Sequence, residues 1–317
     1  MRTRRLGNTD LELTTVGLGT WAIGGPWEYG WGPQDDADSI RAIRAGLEAG
    51  VNWIDTAPAY GCGHAEEVVA RALEGISPRP IIATKCGLAW DANRRKVNCL
   101  DHDAILSEVD ASLRRLRLDV IDLWQLHWPV PETQLDEAWE AMARACDAGK
   151  VRYIGASNFT VEQLKRVARI RPAASLQPPY NMLQRGPEAD LFSYCKEHGM
   201  GVVCYSPMAK GLLTGAFSAK RAAELAPDDH RRRDRNFSGP KLKANLELVE
   251  RLRPIARRNG RTVGELAIAW VLRREEVTAA IVGARNERQI GETVGGADWV
   301  LMPGDLEEIE DLLQRYQ

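Results

Sequence analysis

Several short apolar runs in this chain end on side chains able to do chemistry. Asp55 follows Val51-Asn52-Trp53-Ile54, Lys85 follows Ile81-Ile82-Ala83-Thr84, and His127 follows Leu123-Trp124-Gln125-Leu126. Ser157 and Asn158 follow Tyr153-Ile154-Gly155-Ala156, Gln177 ends the run from Ala174, and Tyr205 with Ser206 ends the run from Gly201. An acid, a lysine and a histidine are groups that hold or pass protons. Any one of them alone is most simply the polar residue at which a strand stops. Together, at the same end of successive strands, they mark a site if the strands converge.

The elements that would make them converge are legible. Candidate strands cover 15–20, 52–56, 81–85, 121–127, 153–158, 174–177, 201–206 and 279–282. Helical patterns fill the gaps at 39–48, 65–73, 104–116, 135–148, 161–168 and 187–198, with Gly50, Gly149 and Gly199 as helix stops. Strands alternating with helices imply parallel βαβ units. Eight of them favour an α/β fold of the (β/α)8 TIM-barrel type, one domain over residues 1–317, whose chemistry belongs at the C-terminal strand ends. Leu6-Gly7-Asn8-Thr9-Asp10-Leu11 reads as an N-terminal β-hairpin capping the barrel floor. No GxGxxG follows the first strand, which disfavours the dinucleotide fold that carries that fingerprint. About seventy residues separate strands seven and eight; a polar loop near 214–240 and helical patterns at 242–259 and 262–273 occupy them. An insertion this long in a barrel is usually functional. The segment 305–314 reads as a last helix.

Composition narrows the partners. The formal net charge is -2 over 317 residues, with 27% charged. That balance offers neither nucleic acid nor an anionic membrane a basic surface. The run Arg231-Arg232-Arg233 is interrupted by Asp234 and preceded by Asp228-Asp229, as in a solvated loop. No apolar stretch has the length of a membrane span, and no apolar signal core follows the basic N-terminus. Cysteines 62, 86, 99, 146, 195 and 204 stand singly, without metal-type or redox-type pairing. The expectation is a cytoplasmic protein with reduced thiols and no metal.

Asp55-Thr56-Ala57-Pro58-Ala59-Tyr60-Gly61, Thr84-Lys85, Gln125-Leu126-His127-Trp128-Pro129 and Gly155-Ala156-Ser157-Asn158-Phe159 resemble the motifs of the aldo-keto reductase superfamily. Gln177-Pro178-Pro179-Tyr180-Asn181, Tyr205-Ser206-Pro207-Met208 and Gly283-Ala284-Arg285-Asn286 extend the resemblance along nearly the whole chain. It is strongest to bacterial aldehyde reductases and to glycerol or polyol dehydrogenases. The resemblance implies a tetrad of Asp55, Tyr60, Lys85 and His127 that interconverts an aldehyde or ketone and an alcohol by hydride transfer. Tyr60 would be the proton donor, its phenol brought down by the Lys85 ammonium, which Asp55 would hold. His127 would donate a hydrogen bond to the carbonyl oxygen.

The same resemblance implies NADP(H) as cofactor. Ser157, Asn158 and Gln177 would hold the nicotinamide carboxamide, and Tyr205 would stack on its ring. Thr20, Trp21, Ser206, Pro207, Met208, Lys210, Gly211 and Leu212 would line the cofactor path, with the 207–240 insertion folded over it. At the adenosine end stand Gly283, Ala284, Arg285 and Gln289. Many members have lysine at the first of these, arginine at the last and asparagine at Thr293. Arg285 is therefore the expected 2′-phosphate ligand, and NAD(H) tolerance is expected. Trp21, Trp27, Trp31, Trp90 and Trp128 fall in loops above the barrel and form the expected substrate pocket; Trp53, Trp124, Trp139 and Trp270 read as core. The chain stops soon after its last helix, so an open site and broad aldehyde specificity are expected. Two competing readings are a cofactor-binding regulatory module similar to potassium-channel β subunits and a phosphate-binding barrel isomerase. The physiological substrate, the reaction direction and the oligomeric state are left open.

Overall fold

Period-two alternation gives each barrel strand an inward and an outward row. The computed structural model describes residues 1–316; Gln317, the last residue of the expected domain, lies outside them. The barrel strands are β1 (Val16–Gly19), β2 (Trp53–Asp55), β3 (Ile81–Cys86), β4 (Ile121–Leu126), β5 (Val151–Ser157), β6 (Ser175–Gln177), β7 (Gly201–Cys204) and β8 (Val277–Gly283). Neighbours pair in parallel around the ring, and β8 closes against β1. This is the expected (β/α)8 barrel, with strand bounds shifted by at most two residues.

Outward residues Ile54, Ile82, Trp124, Val202 and Ala280 join helix residues in one continuous core. Inward residues Trp53, Ala83, Leu123, Val203 and Ala279 meet Leu6, Leu11 and Leu13 in a second cluster that fills the floor. Those leucines come from the N-terminal hairpin, in which Thr3–Arg5 pairs antiparallel with Glu12–Thr14. A Cβ on Gly17 would lie 2.0 Å from the Trp53 ring, so glycine is what lets β1 pass that indole. Two residues beyond the floor, the same inward rows carry Asp55, Lys85, Gln125 and Tyr205. The sequence thus switches from apolar to polar halfway up the interior.

Three local features differ from expectation. A proline-containing 3-10 turn, Gly186–Glu188, comes first, and the next helix starts only at Leu191 and runs to Glu197. A second hairpin, Leu88–Trp90 with Lys96–Asn98, rises above β3 where a loop was expected. Asp91 makes its turn by accepting from the backbone N–H groups of Asn93 and Arg95 at 2.8 and 2.9 Å. The insertion after β7 is built of 3-10 turns and a short helix, Ala219–Ala223. It is tied down by a small cluster of Leu212, Phe217, Leu225, Phe237 and Leu242. Among the described residues, no helix is long and apolar enough to cross a membrane.

Trp53 is fully buried and donates its indole N–H to Thr14 O at 2.9 Å, joining the floor to the hairpin. Trp53→Ala should lower the unfolding free energy by about 3–5 kcal/mol in urea titrations. A loss below about 1 kcal/mol would mean that the hairpin, not the indole, fills the floor.

Candidate active site

Register sets which strand ends are neighbours. Asp55 lies opposite Ala83, Lys85 opposite Gln125, and Ser157 opposite Gln177. Lys85 stands one inward step above Ala83, so its ammonium arrives beside Asp55. Nζ donates to Asp55 Oδ1 at 2.7 Å, to Thr56 O at 3.0 Å and to Tyr60 Oη at 3.2 Å. An ammonium has three protons, and all three are used. Asp55 Oδ2 accepts from Gln177 Nε2 at 2.8 Å and faces Gln125 Nε2 at 3.5 Å. Lys85 is 0% and Asp55 3% exposed, so the ion pair is sealed inside the barrel. Gly155 leaves room for Ser175 and Gln125, whose Oγ and Cγ would lie 2.4 and 3.1 Å from a Cβ there.

Tyr60 sits on the turn after β2, its N–H donating to Ala57 O at 3.1 Å. The next residue, Gly61, has φ 67°, and a Cβ there would lie 1.9 Å from Gly24 O. That contact docks the tyrosine turn against the loop after β1. The Tyr60 ring meets His127 edge-on, with centroids 5.8 Å apart. His127 is partly exposed to the cavity, while its Nδ1 is sealed without a partner.

Burial sets the titration of the group. It raises the Tyr60 phenol above its ordinary value, Asp55 adds to the rise, and the adjacent Lys85 offsets only part of it. The expected lowering by Lys85 is therefore present but outweighed, and the phenol is a protonated acid at neutral pH. Burial also opposes the Lys85 ammonium, yet Asp55 and Tyr60 more than offset this and raise it. Burial, with Lys85 and Lys96, holds His127 well below the usual imidazole range, so it is neutral.

Around this centre the polar strand ends bond to one another. Ser157 Oγ donates to Gln177 O at 3.0 Å, and Asn158 Nδ2 donates to Ser157 Oγ at 3.0 Å and His127 O at 2.9 Å. Tyr205 Oη donates to Asn158 Oδ1 at 2.8 Å. Asn158 holds φ 63°, a left-handed conformation that asparagine tolerates better than most residues.

A cavity of about 850 Å³ opens over these residues. Asp55, Tyr60, His127, Ser157, Asn158, Gln177 and Tyr205 line its inner end. Trp21, Trp27, Trp31 and Trp128 line it as expected, as do Ser206, Pro207, Met208, Lys210, Gly211, Gly283 and Gln289. Its far end is walled by Arg253, Arg257, Arg261 and Arg288. The volume and the donors fit a dinucleotide: a polar inner end, an aromatic face, and arginines in the wall able to meet phosphates. Gly211, at φ 94°, is the sort of residue that lets backbone approach a ligand closely. Among the described residues, no group of three or more His, Cys, Asp or Glu is placed to hold a metal ion.

Five expected cavity residues are not part of its lining. Trp90 is two residues farther out on its hairpin than Leu88, and its ring faces the Arg115 guanidinium at 6.0 Å. Leu212 turns into the insertion's apolar cluster, and Thr20 and Ala284 are buried beneath the mouth. Arg285 is drawn away from the groove by the loop after β1: it donates to Gln34 Oε1 at 2.5 Å, to Trp31 O at 3.4 Å and to Pro33 O. Conversely, Tyr29, Leu88, Lys96, Arg221, Arg253, Arg257 and Arg261 line the cavity without having been singled out in the sequence. For Leu88 and Lys96 a signal existed, since Asp91-Ala92-Asn93 between two short runs is turn chemistry. The arginines lie on elements distant in sequence and carried none.

The aldo/keto reductase family model matches residues 15–314. The chain is 38% identical over 312 residues to aldo-keto reductase YhdN of Bacillus subtilis, covering 98% of this chain and 92% of that protein. It is 32% identical over 327 residues to an NADH-specific methylglyoxal reductase of Escherichia coli, covering 98% of each. A glycerol dehydrogenase structure from Gluconobacter oxydans superposes with a TM-score of 0.89 at 37% identity, covering 99% of this chain and 95% of that one. A buried, hydrogen-bonded Asp–Lys–Tyr cluster beside a neutral histidine, on a barrel of this architecture and over this length of similarity, places the chain in the aldo/keto reductase family.

Proposed function

We propose that this chain is an NADP(H)-dependent aldehyde and ketone reductase, also able to run in the alcohol-oxidising direction, with Tyr60 as general acid and base. The observation that carries the reading is the saturated contact of Lys85 Nζ with Asp55 and Tyr60 at the inner end of a cavity large enough for a dinucleotide. A bound reduced nicotinamide would supply the hydride. Ser157, Asn158, Gln177 and Tyr205 would position it, exchanging some of their present mutual hydrogen bonds for bonds to its carboxamide. Tyr60 Oη then faces the carbonyl oxygen and delivers the proton that the developing alkoxide requires. His127, neutral, donates to the same oxygen and orients it. Lys85 keeps the phenolate left behind from being an isolated buried anion. A regulatory module similar to potassium-channel β subunits is not favoured, since the similar proteins named above are a methylglyoxal reductase, a glycerol dehydrogenase and an aldo-keto reductase. The six cysteines are free thiols, as a reducing cytoplasm would keep them.

The reading is tested by assaying aldehydes, ketones, sugars and polyols with both nicotinamide cofactors. Tyr60→Phe keeps the ring and removes the proton; kcat should fall at least about a hundredfold while cofactor affinity, read by fluorescence quenching, changes little. Near-normal turnover in that variant would remove Tyr60 from the mechanism.

Lys85→Met leaves Asp55 as a buried unpaired carboxylate, a change that costs about 3–5 kcal/mol of stability, so its folding is checked by thermal melting. In the folded variant the phenol loses the one group that lowers its pKa. Residual activity should therefore show its Tyr60 limb displaced to higher pH. Asp55→Asn should lower kcat less, because the charge on Lys85 remains. An unshifted limb in an active Lys85 variant would exclude the lysine from proton transfer.

Cofactor choice falls to the far end of the cavity. Arg285 is spent on the loop after β1, whereas Arg257 lines the groove with no carboxylate partner among the described residues, and Arg288 reaches only Glu292 at 3.4 Å. Arg257→Ala and Arg288→Ala should each weaken NADPH binding about tenfold and NADH binding far less, as loss of a charge-assisted phosphate contact would. Arg285→Ala should weaken both cofactors alike by freeing the 31–34 loop. NADPH-selective weakening in Arg285→Ala alone would return the phosphate to that residue.

A further inference from the structure

Lys96 is a cavity-lining cation that the reductase chemistry does not use. Lys96 lies on the outer strand of the hairpin above β3 and is partly buried. It lines the cavity with Leu88, Trp27, Tyr29 and Trp128. Its ammonium stands 5.6 Å from the Tyr29 ring centroid, and no carboxylate lies within ion-pair distance of it among the described residues. The neighbouring acid, Glu28, accepts instead from the Lys96 backbone N–H at 2.9 Å, which fixes the hairpin against the loop after β1.

The other charges near the inner end are already matched. Asp55 is paired with Lys85, Asp229 with Arg231 at 2.7 Å, and Asp234 with Lys210 at 2.8 Å. Tyr60 is a protonated phenol and His127 is neutral. Among the described residues, Lys96 is therefore the cavity-lining cation beside Tyr29 that has no ion-pair contact, since the Glu28 carboxylate is held by its backbone N–H, and it is close enough to His127 to act on it electrostatically. The rings of Tyr60 and Trp27 lie 6.1 Å apart, and those of Trp27 and Tyr29 lie 5.5 Å apart, a continuous aromatic wall from the proton donor toward Lys96. A flat or short apolar spacer laid along that wall would have its aldehyde carbon at Tyr60 and its distal substituent at the ammonium.

We propose that Lys96 is a specificity residue that binds the distal carboxylate of an oxo-acid substrate, so that the preferred substrates are aldehydes carrying a carboxylate across a short apolar or aromatic spacer. The inference rests on the reductase reading above. A neutral aldehyde uses the same wall and leaves the ammonium with water. A carboxylate replaces that water with a charge-assisted hydrogen bond in a partly desolvated site, where such bonds are worth most.

The test compares para-carboxybenzaldehyde with its methyl ester, which has the same ring and a similar electron-withdrawing group without the charge. The wild-type kcat/KM ratio of acid to ester should exceed about ten, the worth of one charge-assisted contact. Added salt should reduce it. Lys96→Met should bring the ratio down by about tenfold, and Lys96→Arg should retain most of it. Arg95→Met, which alters an exposed neighbour outside the cavity, should leave the ratio as in wild type. A readout independent of turnover is tryptophan fluorescence on titration with para-(hydroxymethyl)benzoate or its methyl ester. The acid should bind more tightly than the ester in wild type and lose that advantage in Lys96→Met. An acid-to-ester ratio that is the same in wild type and Lys96→Met, by kinetics and by binding, overturns the proposal. Failure of wild type to reduce either aldehyde, with the Lys96-dependent binding preference intact, would instead sink the reductase reading and leave the carboxylate site standing.

Discussion

The buried Asp55–Lys85 pair is the constraint on which the rest of the barrel mouth depends. Two opposite charges taken out of water at a separation of 2.7 Å are tolerable only if their remaining protons and lone pairs are also satisfied. Here that requirement recruits Thr56 O, Tyr60 Oη, Gln125 and Gln177, so residues from β2, β4, β6 and the tyrosine turn are bound to one centre. Strand register, inward alternation and the space left by Gly155 all serve to deliver those groups to one place. The same demand explains why Tyr60 is held so closely: its hydroxyl is the third acceptor that the ammonium needs.

Burial then decides the protonation states. In water a lysine beside a tyrosine would bring the phenol down; in this site desolvation and Asp55 push it further up than Lys85 pulls it back. The result is a phenol that keeps its proton at neutral pH. His127 is kept neutral by its surroundings, so it contributes a dipole and not a second cation next to Lys85. A site with one buried cation, one buried anion and two neutral proton carriers avoids the cost of adding unmatched charge to a dry interior.

The cavity above this centre is shaped by loops that hold each other. Arg285, from the segment after β8, grips the 31–34 loop, and Gln34 Nε2 returns a bond to Arg285 O at 3.0 Å. Arg231, paired with Asp229, lies 4.4 Å from the Trp31 ring, so the insertion after β7 clamps the same loop from the other side. Arg285, expected to be the 2′-phosphate ligand, and Arg231, expected in a solvated loop but 6% exposed, are therefore both structural ties, and they position Trp31 over the groove.

By itself the sequence determined the barrel, its polar strand ends and, through the family resemblance, which four residues, Asp55, Tyr60, Lys85 and His127, the fold would bring together. Those follow from period-two and helical patterning and from local motifs, which survive because each is written in contiguous residues. It also located four of the five tryptophans on the cavity, since a residue in a loop above the strand ends has few other places to go. Only the tertiary structure decided where side chains without a local partner would point. Trp90 turns to Arg115, Arg285 to the 31–34 loop, and Lys96 into the cavity, because each answers to an element remote in the chain. The direction of the Tyr60 shift was likewise out of reach of sequence: the family resemblance implies that Lys85 and Asp55 are neighbours, but the penalty for burying a phenolate depends on how completely the folded barrel excludes water.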